Sequence, residues 1–254
     1  MTDAVGQGDA HKRVAWIAGV GASAGLGAAL ARRFAREGFS VAVTGRSRER
    51  LDALVDEIRE TGGHALAFPG DVTSESDLIA IARQLAETGT LEAAIFNAAG
   101  GIRLPTLELT AEQFEAAWRV TTLGGFLFAR AALPALLAAG RGSLLFTGAT
   151  ASLRGRPPFA AFAAFASAKA ALRSLAQSLA REFGPKNIHV AHVVIDGGID
   201  GERLRTSAPQ RVAESGADGL LNPDDIAEAY WHLHQQRRSA WSQEIDLRPF
   251  SESF

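Results

Sequence analysis

The stretch VAWIAGVGASAGLGAAL, residues 14 to 30, is a short apolar run that ends in glycines and passes directly into a helical pattern. Gly21, Gly25 and Gly27 stand in it as GxxxGxG. Three glycines at that spacing permit a tight turn, let backbone approach a pyrophosphate closely, and allow the helix to lie against the strand. The helix N-terminus adds a field that favours negative charge. A glycine-rich turn with no chemistry would show the same letters. Its place between a first strand and a first helix favours the phosphate reading.

Working outward, further apolar runs alternate with amphipathic stretches. VAVTG (Val41 to Gly45), HALAFPG (His64 to Gly70), LEAAIFNAAG (Leu91 to Gly100), GSLLFTG (Gly142 to Gly148) and IHVAHVVIDGG (Ile188 to Gly198) are bounded by turn residues and read as buried parallel strands. Helix starts lie between them: Ser47 ahead of Leu51, Leu54, Val55 and Ile58; Ser74 with Asp77 and Thr110 with Gln113 at capping-box spacing; and Asn222-Pro223 ahead of Ile226 and Trp231. Strand and helix in repeated alternation predict an α/β fold, one doubly wound parallel sheet with helices on both faces. No repeat or linker divides it, so residues 1–12 read as a flexible polar tail and residues 13–254 as one domain.

Composition removes several chemistries. The chain has 254 residues, 26 basic and 28 acidic side chains, six histidines, one tyrosine and no cysteine. Without cysteine there is no thiolate nucleophile, redox pair, disulfide or thiolate metal site, and no HExxH pair suggests a metal. A net charge of −2 gives no reason to expect nucleic acid or an anionic membrane as partner. No apolar run reaches the roughly 18 residues of a membrane span. The first twelve residues lack the apolar stretch of a signal peptide, which points to the cytoplasm.

In doubly wound sheets ligands sit at the carboxyl ends of the strands. At the end of the second strand, where an acid would hold the ribose hydroxyls of NAD, stand Arg46 and, just beyond, Arg48. A guanidinium suits a 2′-phosphate, so NADP is expected over NAD. The third strand runs into Gly70-Asp71-Val72 and the fourth into Asn97-Ala98-Ala99-Gly100, whose small residues let a flat ring or a ribose lie against backbone.

With these motifs in order, the chain resembles a single-domain short-chain dehydrogenase/reductase from Arg13 to about Ile245, through the Gly21/Gly25/Gly27 turn, Asp71-Val72, Asn97 to Gly100, Lys169 and Gly197 to Ile199. The resemblance implies a Rossmann-type fold, a nicotinamide cofactor and a homodimer or homotetramer. It implies a phosphate turn at Gly21, Ser23, Gly25, Leu26 and Gly27. It also implies adenine contacts at Asp71 and Val72, ribose-side contacts at Asn97 and Ala98, a ribose-binding role for Lys169, and a backbone contact to the carboxamide at Ile199.

The catalytic positions depart from that family's pattern. Lys169 is retained, but Phe165 stands where the YxxxK tyrosine belongs, Ala149 where the serine belongs and Thr121 where the asparagine belongs. A slipped register would offer Thr147 or Thr150 as the hydroxyl. The longer tyrosine spacing of the enoyl-reductase branch falls on Phe162. The single tyrosine, Tyr230, lies on a late helix beside Trp231 and reads as a packing residue. A positioned acid or base contributes on the order of 10²–10⁴ in rate, so ketone reduction should suffer unless another group substitutes.

Candidate substitutes are Asp196 and Asp200, whose plainer role is turn formation. Arg103 and Arg154 could hold an anionic substrate, while His189 and His192 read as satisfied sheet residues. An apolar pocket around Phe159, Phe162 and Phe165 would favour hydride transfer to an iminium ion or a conjugated alkene, with Lys169, Thr121 and Asp196 as the catalytic candidates. The alternative is a catalytically silent NADP-binding protein, a sensor or structural subunit. Trp241, Ile245 and Leu247 suggest a last strand, followed by an RPF segment that covers either the cleft or a neighbouring subunit.

Overall fold

The computed structural model describes residues 12–154 and 161–252. The expected tail, apart from Lys12, and Phe159 lie outside the described residues. Seven strands form one all-parallel sheet in the order β3-β2-β1-β4-β5-β6-β7. The chain runs β1 (Arg13–Ala18), α1 (Leu26–Arg36), β2 (Ser40–Gly45), α2 (Arg48–Glu60), β3 (His64–Pro69), α3 (Glu75–Ala86) and β4 (Thr90–Phe96). Then follow α4 (Ala111–Trp118), a single π-helical turn (Arg119–Leu123), α5 (Gly124–Ala139), β5 (Gly142–Thr147), α6 (Ala163–Phe183) and β6 (Ile188–Ile195). The chain closes with α7 (Glu202–Ser207), α8 (Pro209–Glu214), α9 (Pro223–Gln235) and β7 (Glu244–Leu247).

This is the Rossmann-type architecture expected. Except for β2, which ends with its run at Gly45, the strands stop one to four residues before the apolar runs do, because the trailing glycines, asparagine and aspartates form the loops that carry the site. Trp241 precedes β7 and does not belong to it; its ring stacks on His189 at 4.9 Å.

The sheet is buried on both sides, which is why its strands are continuously apolar and not alternating. One face buries Ile17, Phe34, Phe39, Leu51, Tyr230 and Trp231 under α1, α2 and α9. The other buries Trp16, Phe96, Phe128, Phe146 and Leu172 under α3, α5 and α6. Each such side chain contributes about 1.5–3 kcal/mol by leaving water.

The caps form where the sequence places them. Ser47 and Asn222 accept from Arg50 N and Asp224 N, and Thr110 with Gln113 makes a reciprocal capping box. At Ser74 the box is altered. Its hydroxyl accepts from Asp77 N, but the Asp77 carboxylate turns to Asp71 N at 3.0 Å and so holds the loop after β3.

One sequence expectation is corrected. Through the π turn, α4 and α5 form one continuous 29-residue helix, Ala111–Ala139, that is long and apolar enough to cross a membrane, with an 18-residue window of mean hydropathy 1.5. Pro134 lies inside it without ending it. Half of that window is buried, with Leu127, Phe128 and Leu136 against the sheet, so its apolar character is used in the core.

Candidate active site

The carboxyl ends of β1 and β4 lie side by side at the point where strand order reverses, and the glycine turn sits there. Gly19 N and Val20 N both donate to Thr44 O at 3.0 Å, which ties the end of β1 to β2. Gly19 has φ +89°, and a β-carbon on it would collide with the backbone of Ala98. Sequence reasoning began its motif at Gly21 and missed this residue; a glycine directly after an apolar strand was the available signal.

Gly27 is pressed against Gly19 O, whereas a β-carbon on Gly21 would meet nothing within 4 Å. Gly25 caps α1 with no side-chain partner, and no acid stands in the first turn. The amides of Leu26 and Gly27, which open α1 without a side-chain cap, are therefore left for an anion. Leu26 is buried at the start of that helix. Ser23 is engaged within the chain: its hydroxyl donates to Glu57 at 2.8 Å and accepts from Arg32 at 3.2 Å.

The remaining cofactor candidates are placed as follows. Arg46, exposed at the end of β2, has no hydrogen bond or ion pair among the described residues, while Arg48 pairs with Asp52. Asp71 accepts from Thr73 N and Thr73 Oγ1 at 2.8 Å, and Val72 is buried beside Gly124. Asn97 donates to Gly19 O at 3.0 Å, which locks the two strand ends together, and Ala98 packs partly into the core. Ile199 bridges to Leu221 after β6.

Lys169, on α6, is only 2% exposed; its Nζ donates to Thr147 O at 2.6 Å and lies 5.9 Å from the centre of the Phe165 ring. Burial, and next the charge of Arg203, pull its pKa down to about 7. One of its three donors is used among the described residues. An uncapped helix N-terminus, an unpartnered Arg46 and a buried lysine with spare donors form a donor set that fits a phosphorylated dinucleotide.

The three catalytic candidates are not brought into contact. Thr121 is fully buried in the π turn, where its hydroxyl accepts from Gly100 N at 2.9 Å and so holds the loop after β4. Asp196 is 1% exposed: it accepts from Thr150 Oγ1 and faces Arg154 at 3.5 Å and Arg248 at 3.6 Å.

Two expectations change accordingly. Asp196 is more than a turn residue, because burial required it to be paired. Arg154 turns to that carboxylate instead of awaiting a substrate anion. Pro249 of the RPF segment lies against Gly197, in the loop after β6.

Asp200 forms a two-pronged pair with Arg205 at 2.7 and 3.0 Å. At the fifth strand, Ala149 N donates to Ser152 Oγ, Thr147 bonds Tyr230, and Thr150 bonds Asp196, so neither threonine hydroxyl is idle.

The histidines behave as sheet residues. His189 is set between Leu233 O and Ser242 O, and His192 contacts Glu244 at 2.9 Å, with burial driving its pKa to about 4. Phe162 and Phe165 do meet, edge to face at 6.0 Å. Arg103 lies over Phe162 at 5.1 Å. Arg203, which sequence reasoning missed, fills the space beside Gly101; the basic run after Gly201 was its signal.

Comparison with known proteins places this arrangement. A family profile described as short chain dehydrogenase matches residues 15–212. The A-factor type gamma-butyrolactone 1'-reductase (1S-forming) of Streptomyces virginiae is 34% identical over 241 residues, 85% of this chain and 91% of that protein. A short-chain dehydrogenase from Rhodopseudomonas palustris superposes with TM-score 0.77 at 39% identity, over 94% of this chain and 99% of that one. A metagenomic short-chain oxidoreductase crystallised with NADP matches with TM-score 0.77 at 28% identity, over 93% and 97% of the two chains.

Proposed function

The chain belongs to the short-chain dehydrogenase family, and from that premise we propose that it is an NADP(H)-dependent oxidoreductase that serves substrates needing little general-acid help, iminium ions or conjugated alkenes. NADPH, when bound, supplies the hydride. The free amides of α1 and the glycine turn hold the pyrophosphate, Arg46 takes the 2′-phosphate, and Lys169 holds the ribose through its spare donors. Asn97 fixes the floor between β1 and β4.

The observation that carries the substrate reading is the Phe162–Phe165 pair next to Lys169. It walls the pocket with rings where a proton donor would stand. An acceptor already cationic, or one whose charge is delocalised, suits such a wall. The near-zero net charge supports a small-molecule substrate over nucleic acid or membrane. Phe114, Trp118 and Phe126, exposed on α4 and α5, support a homodimer or homotetramer.

The test is a fluorescence titration with NADPH and NADH, followed by turnover on matched ketones, iminium ions and enones. NADPH should bind more tightly, and an iminium ion or enone should be reduced. Ketone or aldehyde reduction at ordinary rates, about 1–10³ s⁻¹, would overturn the substrate reading. The separation of Lys169, Thr121 and Asp196 favours a second reading, a silent NADP-binding protein. Binding without hydride transfer to any acceptor class would select it.

A further inference from the structure

Three arginines from three different segments lie close enough to act on one another, and Arg203 acts on Lys169 as well. Arg103 comes from the loop after β4, Arg203 from α7 beside Gly101, and Arg211 from α8, 3.4 Å from where a β-carbon on Gly198 would lie. The acids nearest Arg203 in sequence are already committed: Asp200 pairs with Arg205 and Glu202 with Arg50 at 3.1 Å. Among the described residues no carboxylate lies within 4 Å of Arg103 or Arg203. Below them the Phe162 and Phe165 rings form an apolar floor that reaches Lys169. We propose that this cleft takes a conjugated alkene that carries a carboxylate, the carboxylate held by Arg103 and Arg203 and the hydrocarbon laid on Phe162 and Phe165.

The chemistry follows from charge and shape. Arg103 and Arg203 repel as like charges, and a bound carboxylate turns that repulsion into paired hydrogen bonds. The repulsion already shows: burial, then Arg203 and Arg211, hold the Arg103 pKa below its ordinary value. The inference rests on the reading of this cleft as the substrate side of a cofactor site.

The experiment titrates NADPH-saturated protein by calorimetry with phenylacetate, with its neutral amide and with inorganic phosphate. Phenylacetate should bind on the order of ten-fold more tightly than the amide, the range of one or two charge-assisted hydrogen bonds. It should also exceed inorganic phosphate, which has no apolar body. Arg103→Gln with Arg203→Gln should remove the preference while NADPH affinity stays within about two-fold. Both side chains are exposed, and melting curves together with the single variants confirm that fold is retained.

Equal affinity for acid and amide, or a preference that survives the double variant, overturns the inference. A parallel loss of NADPH affinity also overturns it, by assigning these arginines to the cofactor. Repeating the titration without NADPH separates the two readings: failure to bind NADPH with the acid preference intact sinks the oxidoreductase proposal and leaves the anion cleft standing.

Discussion

Thr147 and Tyr230 share a buried 2.7 Å hydrogen bond, while the carbonyl oxygen of the same Thr147 accepts from Lys169. The chain's single tyrosine is thus tied to the residue that anchors the active-site lysine, from within the core. Burial pushes its phenol pKa up, so it is held neutral and withheld from acid–base work. Tyr230→Phe should cost about 1–2 kcal/mol of stability, because Thr147 loses its buried partner, and leave hydride transfer unchanged. Lost turnover at an unchanged melting temperature would place Tyr230 in the chemistry.

Lys169 gives a pH signature. Its pKa is about 7 folded against 10.5 unfolded, so between those values the unfolded chain holds the proton and the folded one does not, and stability rises with pH. Below that window folding must bury the charge. Lys169→Met should therefore stabilise cofactor-free protein by a few kcal/mol near about pH 6, with the gain fading as pH approaches about 10. Melting temperatures across that range check it, and a gain independent of pH would contradict the assignment.

Asp196→Ala removes a buried carboxylate from between Arg154 and Arg248. Breaking a buried pair by deleting one partner costs about 3–5 kcal/mol, and denaturant midpoints should fall accordingly. A variant as stable as the parent but unable to transfer hydride would instead make Asp196 a proton carrier.

The glycines separate fold from binding. Gly19→Ala forces a side chain into positive φ and into Ala98, so the protein should be destabilised by at least about 1–3 kcal/mol. Gly21→Ala has open space and should melt within about 0.5 kcal/mol of the parent. Its methyl should nevertheless weaken NADPH, read by fluorescence titration.

Arg46→Gln should raise the NADPH dissociation constant about ten- to a hundred-fold and barely alter that of NADH, since only the 2′-phosphate is lost as a partner. Equal weakening of both cofactors would move the 2′-phosphate site elsewhere.

Much of this was legible in the sequence because it depends on local rules. Caps at Ser47, Thr110 and Asn222, continuous apolar strands and the glycine turn before α1 all announce themselves within a few residues. The packing of Tyr230 followed from its neighbour Trp231. What escaped was long-range: Asp196 meets Thr150, Arg154 and Arg248 across separate segments, and Arg203 reaches Gly101 from a helix more than a hundred positions later. Hydrophobic periodicity has no signal for such meetings. The unbroken helix from Ala111 to Ala139 escaped for another reason, because the π turn carries it through a polar, glycine-bearing stretch that reads as a break.

The closure of Asp196 by Arg248 also sets an order of assembly. A chain emerging during synthesis possesses its glycine turn, its lysine and this carboxylate well before it possesses β7, which must be laid along β6 to bring Leu247 O to Asp196 N and Arg248 to the side chain. Until residues 244–248 arrive, the end of β6 carries a charge without its full complement of counter-charge and an edge without its last partner strand. Domains fold broadly from the N-terminus as they are made, yet here the end of β6 is finished only when β7 pairs with it. Loss of residues 244–248 would therefore leave the Asp196 charge and the β6 edge uncovered together.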